Sequence, residues 1–157
     1  MEDKQSETQQ GAPSSALTLD KVREIYSRTY SDEGKPDFSH IYPFYHQNVR
    51  FRDSIQVIEG RDKFIEMCDR LARRCSEIYM TVHDVAQNGN IIFLQWTMTT
   101  RFRKAPLTPM HGVTKLTLDN DGLIVEHRDH FDLWGDTLDA IPGIGKMYRW
   151  VMRTLLG

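Results

Sequence analysis

The sequence predicts an α+β fold in which a curved antiparallel sheet wraps around N-terminal helices, and three observations carry that expectation. Apolar residues recur at helical spacing up to about residue 74 except in one alternating stretch from Asn48 to Ile58, alternate from Ile78 onward, and return to helical spacing near the C-terminus. Helices gathered before long strands point to segregated layers rather than alternating βαβ units. Two short turn sequences, Gln87-Asn88-Gly89-Asn90 and Asp119-Asn120-Asp121-Gly122, join the long strands as hairpins. A strongly bent sheet of this kind encloses a cone, forming a cone-shaped α+β barrel with a C-terminal helix appended, and a small-molecule pocket belongs inside it.

Residues 1–16 hold no large aliphatic residue except Met1, so they cannot bury enough surface to offset their ordering entropy and read as a disordered tail. Order begins near Thr18, an N-cap for a helix carrying Leu19, Val22, Ile25, Tyr26 and Thr29 on its apolar face. Gly34-Lys35-Pro36 stops that helix, and a short second one follows with Ile41, Phe44 and Tyr45 apolar and Pro43 in or near its first turn. Asn48 to Ile58 alternates as a strand ended by Gly60, and Phe64 to about Arg74 forms a third amphipathic helix. Strands are expected over Ile78–Ala86, Ile91–Arg103, Met110–Leu118 and Leu123–Leu133. The chain closes on Leu138–Leu156, helical apart from a Pro142-Gly143 interruption. No internal repeat is visible.

The chain has 157 residues, 39% hydrophobic and 27% charged, which suffices for one domain with a true core. Twenty basic side chains against 22 acidic ones leave no field that would attract nucleic acid or an anionic membrane. Cys68 and Cys75 make no disulfide framework, and they are expected on one helix face as buried free thiols in a reducing compartment. There is no apolar run long enough for a transmembrane span and no apolar core of a signal peptide, so a soluble, cytoplasmic domain is expected.

Alternation identifies the residues that face the cone. On the long strand they are Ile92, Leu94, Trp96, Met98 and Phe102; on the last strand Val125, His127, Asp129, Phe131 and Leu133; on the first Val49, Phe51 and Asp53. Three polar side chains thus sit on apolar faces: Asp53, His127 and Asp129. A carboxylate among Phe, Trp and Met is costly to ionise, so its pKa is expected to rise, which makes it a candidate proton-transfer group. A neighbouring histidine can orient it or share its proton. The plainer alternative is that His127 and Asp129 satisfy each other as structural polar residues.

Three stretches carry a resemblance: Phe44-Tyr45-His46-Gln47-Asn48-Val49-Arg50-Phe51-Arg52-Asp53, Gly60-Arg61-Asp62 opening a helix, and Asp121 to Leu133 with His127-Arg128-Asp129-His130-Phe131-Asp132 at its centre. Over about residues 19 to 140 the chain resembles the SnoaL-like branch of the nuclear transport factor 2-like superfamily. The resemblance implies a cone-shaped fold, frequently dimeric through the outer sheet face, over residues 17–136, with 137–157 as a helical extension. Members include ketosteroid isomerases, polyketide cyclases and limonene epoxide hydrolases, beside domains with no known reaction, so function must be argued from the site. Asp53 matches the general-base position of ketosteroid isomerases, Tyr26 (or Tyr30) lies near their oxyanion-hole tyrosine, and Thr114 stands where they place a protonated aspartic acid. Asp129 matches a catalytic carboxylate of the epoxide hydrolases and the acid/base of the cyclases. The resemblance places Trp96 and Met98 where the hydrolases need Arg and Asp, which disfavours epoxide hydrolysis.

The expected site therefore has Asp53, Asp129, His127 and Tyr26 as acid–base candidates and Phe51, Trp96, Met98, Phe102, Thr114 and Phe131 as ligand contacts. The expected partners are a small hydrophobic molecule and a second copy of the chain. No cofactor is implied, and no metal: His130 points away from His127 and Asp129, and two ligands make no zinc or iron site. No Gly-rich loop supports nucleotide binding, and Ser54 lacks a nucleophile-elbow context. Arg101, Arg103 and Lys104 read as a solvated rim. The C-terminal stretch, apolar with Lys146, Arg149 and Arg153 interspersed, reads either as a membrane-surface helix or as a helix packed on its own domain, across a dimer or over the cone; packing is the expectation because positive charges are few.

Overall fold

The computed structural model describes residues 17–102, 107–138 and 143–156. Helix α1 (Leu19–Ser27) starts at Thr18, whose hydroxyl accepts the amide of Lys21, and buries Val22, Ile25 and Tyr26. A 3-10 turn (Ser39–Phe44) leads directly into strand β1 (Tyr45–Arg52), so Tyr45 opens a strand instead of ending a helix. The stretch expected as one strand is split: a turn at Asp53 separates β1 from β2 (Val57–Glu59). Helix α2 (Arg61–Arg74) follows Gly60, whose φ of 93° is the left-handed geometry that glycine adopts without strain.

Strands β3 (Cys75–Asn88) and β5 (Thr108–Leu118) run longer than their apolar patterns, β6 (Ile124–Phe131) is shorter at both ends, and β4 is Ile91–Phe102. Cys75 is therefore the first residue of β3 rather than a helical partner of Cys68, though both are buried free thiols. A π-helical turn (Leu133–Leu138) and helix α3 (Ile144–Leu156) end the described chain. The expected tail 1–16, Arg103 and Lys104 of the rim, and Pro142 lie outside the described residues.

All six strands form one sheet in the order β2-β1-β6-β5-β4-β3. Its two ends do not pair, so the barrel is open. The sheet is also not wholly antiparallel: β1 runs parallel to β6, with Phe51 opposite His127 and Arg52 opposite Arg128. β1 is separated from β6 by the whole β2–β5 segment, α2 included, and no local pattern encodes the direction of such a distant pairing. Extra residues interrupt the ladder between Val82 and Asp84, and between Cys75 and Glu77; the β5–β6 register also shifts beside Leu118. Such bulges add the local bend that a curved sheet needs.

Helices α1 and α2 lie in the concavity, α1 against β3 and α2 against β1 and β3. The Arg23 guanidinium fixes α1 by donating to the carbonyls of Val82 and His83 at the β3 bulge, at 2.9 and 2.8 Å. Thr29 donates to the Ile78 carbonyl, and the Ile78 amide donates to the Tyr30 hydroxyl. The core between helices and sheet contains Val22, Ile25, Tyr45, Val49, Phe51, Phe64, Ile92, Leu94, Trp96 and Leu116, all buried. Among the described residues no Asp, Glu, Lys, Arg or His side chain is buried in this layer with one exception, on β6.

Candidate functional site: a hydrogen-bonded line ending on Asp129

The exception is His127, only 5% exposed. Its imidazole sits among the rings of Tyr26, Tyr45, Phe51 and Phe64, with centroids 5.0 to 6.2 Å away. Both ring nitrogens are used. Nδ1 lies 2.6 Å from the Tyr45 hydroxyl, which in turn lies 2.7 Å from the Tyr26 hydroxyl. Nε2 lies 2.9 Å from Oδ1 of Asp129. The same oxygen accepts the Thr114 hydroxyl from the facing residue of β5, and Thr114 Oγ1 accepts the Trp96 indole N–H from β4 at 2.8 Å. Six side chains from four strands and a helix thus form one continuous line.

The direction of each bond follows from the two ends. A carboxylate only accepts and an indole N–H only donates. Trp96 therefore donates to Thr114, Thr114 to Asp129, and His127 to Asp129 through Nε2–H. Nδ1 of the neutral imidazole then accepts from Tyr45, whose oxygen accepts from Tyr26. Reversing the tyrosine end would leave the Tyr26 proton without an acceptor among the described residues, at the cost of an unsatisfied buried donor. Burial pushes both phenols well above their ordinary value of 10.0, so they remain neutral hydroxyls; the Asp129 charge adds to that rise. Every donor is aimed toward Oδ1, while Oδ2 takes no hydrogen bond among the described residues and the Asp129 side chain is 20% exposed.

Backbone geometry makes room for the indole. Gly112 faces Trp96 across the β4–β5 ladder, and a Cβ there would overlap the indole ring. Trp96 can lie flat over this position and reach Thr114 only because glycine occupies it. Phe131 closes the other side, its ring 6.4 Å from that of Trp96, and Met98 and Met110 pack half-buried next to each other across the same ladder.

The expected site residues are thus distributed unequally. His127, Asp129, Tyr26, Thr114 and Trp96 come together in the line, and Phe51 packs against His127 as core. Met98 and Phe131 stand half-buried on the side of Trp96. Phe102, at the end of β4, is 44% exposed. Asp53 lies one residue beyond the Arg52–Arg128 pair, and its Oδ1 accepts the amides of Ile55 and Gln56, each at 2.7 Å, so this carboxyl shapes the turn between β1 and β2. The enclosure expected for Asp129 is replaced by two donors and partial exposure. Tyr45 is the member of the line that sequence reasoning misses. It has the same parity as Val49 and Phe51, and extending that alternation backward would find it.

Two clefts, of about 460 and 380 Å³, lie elsewhere. The larger runs between β2 and α2, lined by Gln56, Ile58, Lys63, Glu66 and Arg70; the smaller lies between Pro36, Asp37 and Arg73. Neither is lined by His127 or Asp129. Among the described residues no group of three His, Cys, Asp or Glu side chains is placed to hold a metal, and no helix is long and apolar enough to cross a membrane.

This architecture is that of a recognised class. The chain belongs to the SnoaL-like domain family, whose model matches residues 22–127. No curated protein matches the chain. Among solved structures, a candidate SnoaL-like polyketide cyclase from Jannaschia sp. CCS1 superposes with a TM-score of 0.64 at 18% identity, covering 81% of this chain and 90% of its own. An LEH-like epoxide hydrolase from M. tuberculosis gives 0.62 at 16% identity, covering 88% and 96%. An NTF2-like protein of unknown function from Exiguobacterium sp. 255-15 gives 0.61 at 16% identity, covering 73% and 97%. At these identities the likeness is one of fold: a curved sheet around helices, the nuclear transport factor 2-like architecture.

Proposed function

We propose that this SnoaL-like domain is a cofactor-independent acid–base enzyme of the isomerase or cyclase type, with Asp129 as the group that takes and returns a proton on a small hydrophobic substrate. The observation that carries the reading is the polarity of the line: all donors converge on Oδ1, and Oδ2 is left open. Two hydrogen bonds to one oxygen fix the plane of the carboxylate, so Oδ2 meets a substrate C–H or O–H in a set orientation. When Oδ2 accepts that proton, His127 and Thr114 keep their bonds to Oδ1 and the line need not rearrange. Trp96 and Phe131, with Met98 and Met110 beyond, give the approach an apolar wall suited to a hydrophobic molecule. Trp96 and Met98 supply no acid or base, so epoxide opening, which needs both, is not the reaction proposed.

The test is turnover of a panel of ketones and lactones by the wild-type chain and by Asp129→Asn, with binding followed in parallel by calorimetry. Turnover by the wild type that Asp129→Asn abolishes while binding persists supports the reading. Turnover that the variant retains overturns it.

A second reading, a binding or interaction module without catalysis, is favoured by one observation: among the described residues His127 is ringed by aromatic side chains, and neither of the two clefts described above is lined by it or by Asp129. This reading requires that no panel member be turned over and that Asp129→Asn leave partner binding unchanged.

A further inference from the structure

Helix α3 touches the rest of the described chain chiefly through the π-helical turn, with Tyr148 stacked on Trp134 at a centroid distance of 4.9 Å and an interplanar angle of 11°. Gly145 is buried and Met152 half-buried on the same side. The other side is open: Met147 is 63% exposed, Trp150 68%, Leu155 73% and, at the helix end, Leu156 78%. At about 100° per residue, Trp150, Thr154, Met147, Val151 and Leu155 fall within one arc of roughly 140°. Lys146, Arg153 and Arg149 follow immediately beside Trp150, and α3 contains no acidic residue.

The single polar residue in the open arc is Thr154, and its hydroxyl donates to the Trp150 carbonyl one turn back, at 2.8 Å. That bond turns the hydroxyl back onto the helix, so the arc presents an apolar surface whose remaining side-chain donor is the Trp150 indole N–H, a group suited to a headgroup boundary. We propose that α3 docks this protein on an anionic lipid surface, Trp150, Met147 and Leu155 entering the headgroup–acyl boundary while Lys146 and Arg153 meet the lipid charges.

Charge complementarity selects this occupant. A second copy packed antiparallel through the same face would bring each cationic flank against its counterpart, and a parallel copy would find no acidic residue on α3 to pair with either flank. An acidic protein would find cations but, beside the Thr154 hydroxyl already engaged by the helix, only the Trp150 indole N–H in the apolar arc to specify it. A lipid surface needs only the two things α3 offers, continuous apolar area and adjacent positive charge. The expectation that this helix packs on its own domain holds for one side alone. The sum of charge over the whole chain, which argues against a membrane, hides a local excess on α3.

The experiment is co-sedimentation of the full chain with vesicles of phosphatidylcholine alone and of phosphatidylcholine with phosphatidylserine at about 3:1, with tryptophan emission recorded in parallel. Binding to the mixed vesicles should exceed binding to the neutral ones by about tenfold or more and fall steeply with salt. Emission should shift to the blue in the wild type and not in Trp150→Ala. Lys146→Glu with Arg153→Glu should remove the preference for anionic vesicles, with circular dichroism unchanged because neither side chain packs in the core. Absence of binding to either vesicle, equal binding to both, or a concentration-dependent dimer in sedimentation velocity that Trp150→Ala dissolves would each overturn the proposal.

Discussion

Nε2 of His127 lies 2.9 Å from Oδ1 of Asp129, two residues along the same strand, while Nδ1 of that ring accepts from Tyr45. A strand places residues i and i+2 on one face, so the pair is written into β6 itself. The remainder of the line comes from elsewhere: Thr114 is the cross-strand neighbour of Asp129, Tyr45 opens the parallel strand β1, and Tyr26 projects from α1. Removing any member exposes what it does, because each has a different bond to lose.

Asp129→Asn keeps an oxygen that can accept from both Thr114 and His127, so the variant should fold with an unchanged circular dichroism spectrum. Its amide cannot take a proton at neutral pH, and turnover of a responsive substrate should fall by about 100-fold or more. Parallel kinetics and thermal melts on one preparation check both halves of this expectation.

Tyr45→Phe should cost more stability than Tyr26→Phe. The first removes the donor to His127 and the acceptor for Tyr26, leaving two buried polar atoms without partners; the second removes a terminal donor only. A loss of about 1–3 kcal/mol for Tyr45→Phe is the expected scale. The double variant should be less destabilised than the sum of the two, since both act on one network. Urea unfolding of the three variants measures this ordering.

Gly112→Ala introduces a Cβ that would overlap the Trp96 indole and must displace it, breaking the bond to Thr114. A destabilisation of about 1–3 kcal/mol is expected. Combining it with Trp96→Leu, which vacates the space over residue 112, should recover part of that loss relative to Trp96→Leu alone. Chemical denaturation of the four-member cycle reads the coupling.

Alkaline pH should destabilise the fold early. Burial pushes Tyr26, Tyr45 and Cys68 up from ordinary values of 10.0, 10.0 and 9.0. The unfolded chain releases these protons first, so above about pH 9 it binds fewer than the folded state and stability declines. The stability is fully present below these ordinary values. Each group adds a slope of about 1.4 kcal/mol per pH unit between its unfolded and folded pKa. Burial also raises the Cys75 thiol from 9.0, so Cys68→Ala should lessen the decline between about pH 9 and 10 without removing it. Tyr26→Phe should flatten the slope beyond, and both effects should be visible in urea midpoints between about pH 8 and 11.

Much of this site is legible in the amino-acid sequence. Alternation on the long strand and the last strand selects His127, Asp129, Trp96 and Phe131, because a two-residue period survives wherever the ladder is regular. Thr114 comes through the family resemblance. Three things are not legible. Tyr45 follows two aromatic or apolar residues of a helix-like stretch, and its assignment to the strand depends on the 3-10 turn stopping at Phe44. Asp53 shares the inward parity of Phe51, yet the chain turns there, and its carboxyl captures the Ile55 and Gln56 amides before it can join the site. The parallel pairing of β1 with β6, which sets Phe51 against His127, is a contact between distant segments that no local pattern records.

The central claim is that Oδ2 of Asp129 moves a proton, and solvent exchange reads that event directly. In D2O, a ketone accepted by the protein should gain deuterium at its α-carbon, followed by NMR. The wild type should catalyse this incorporation, Asp129→Asn should slow it by about 100-fold or more, and Asp53→Asn should slow it far less. Exchange that proceeds at the wild-type rate in Asp129→Asn, or is lost only in Asp53→Asn, would contradict the account.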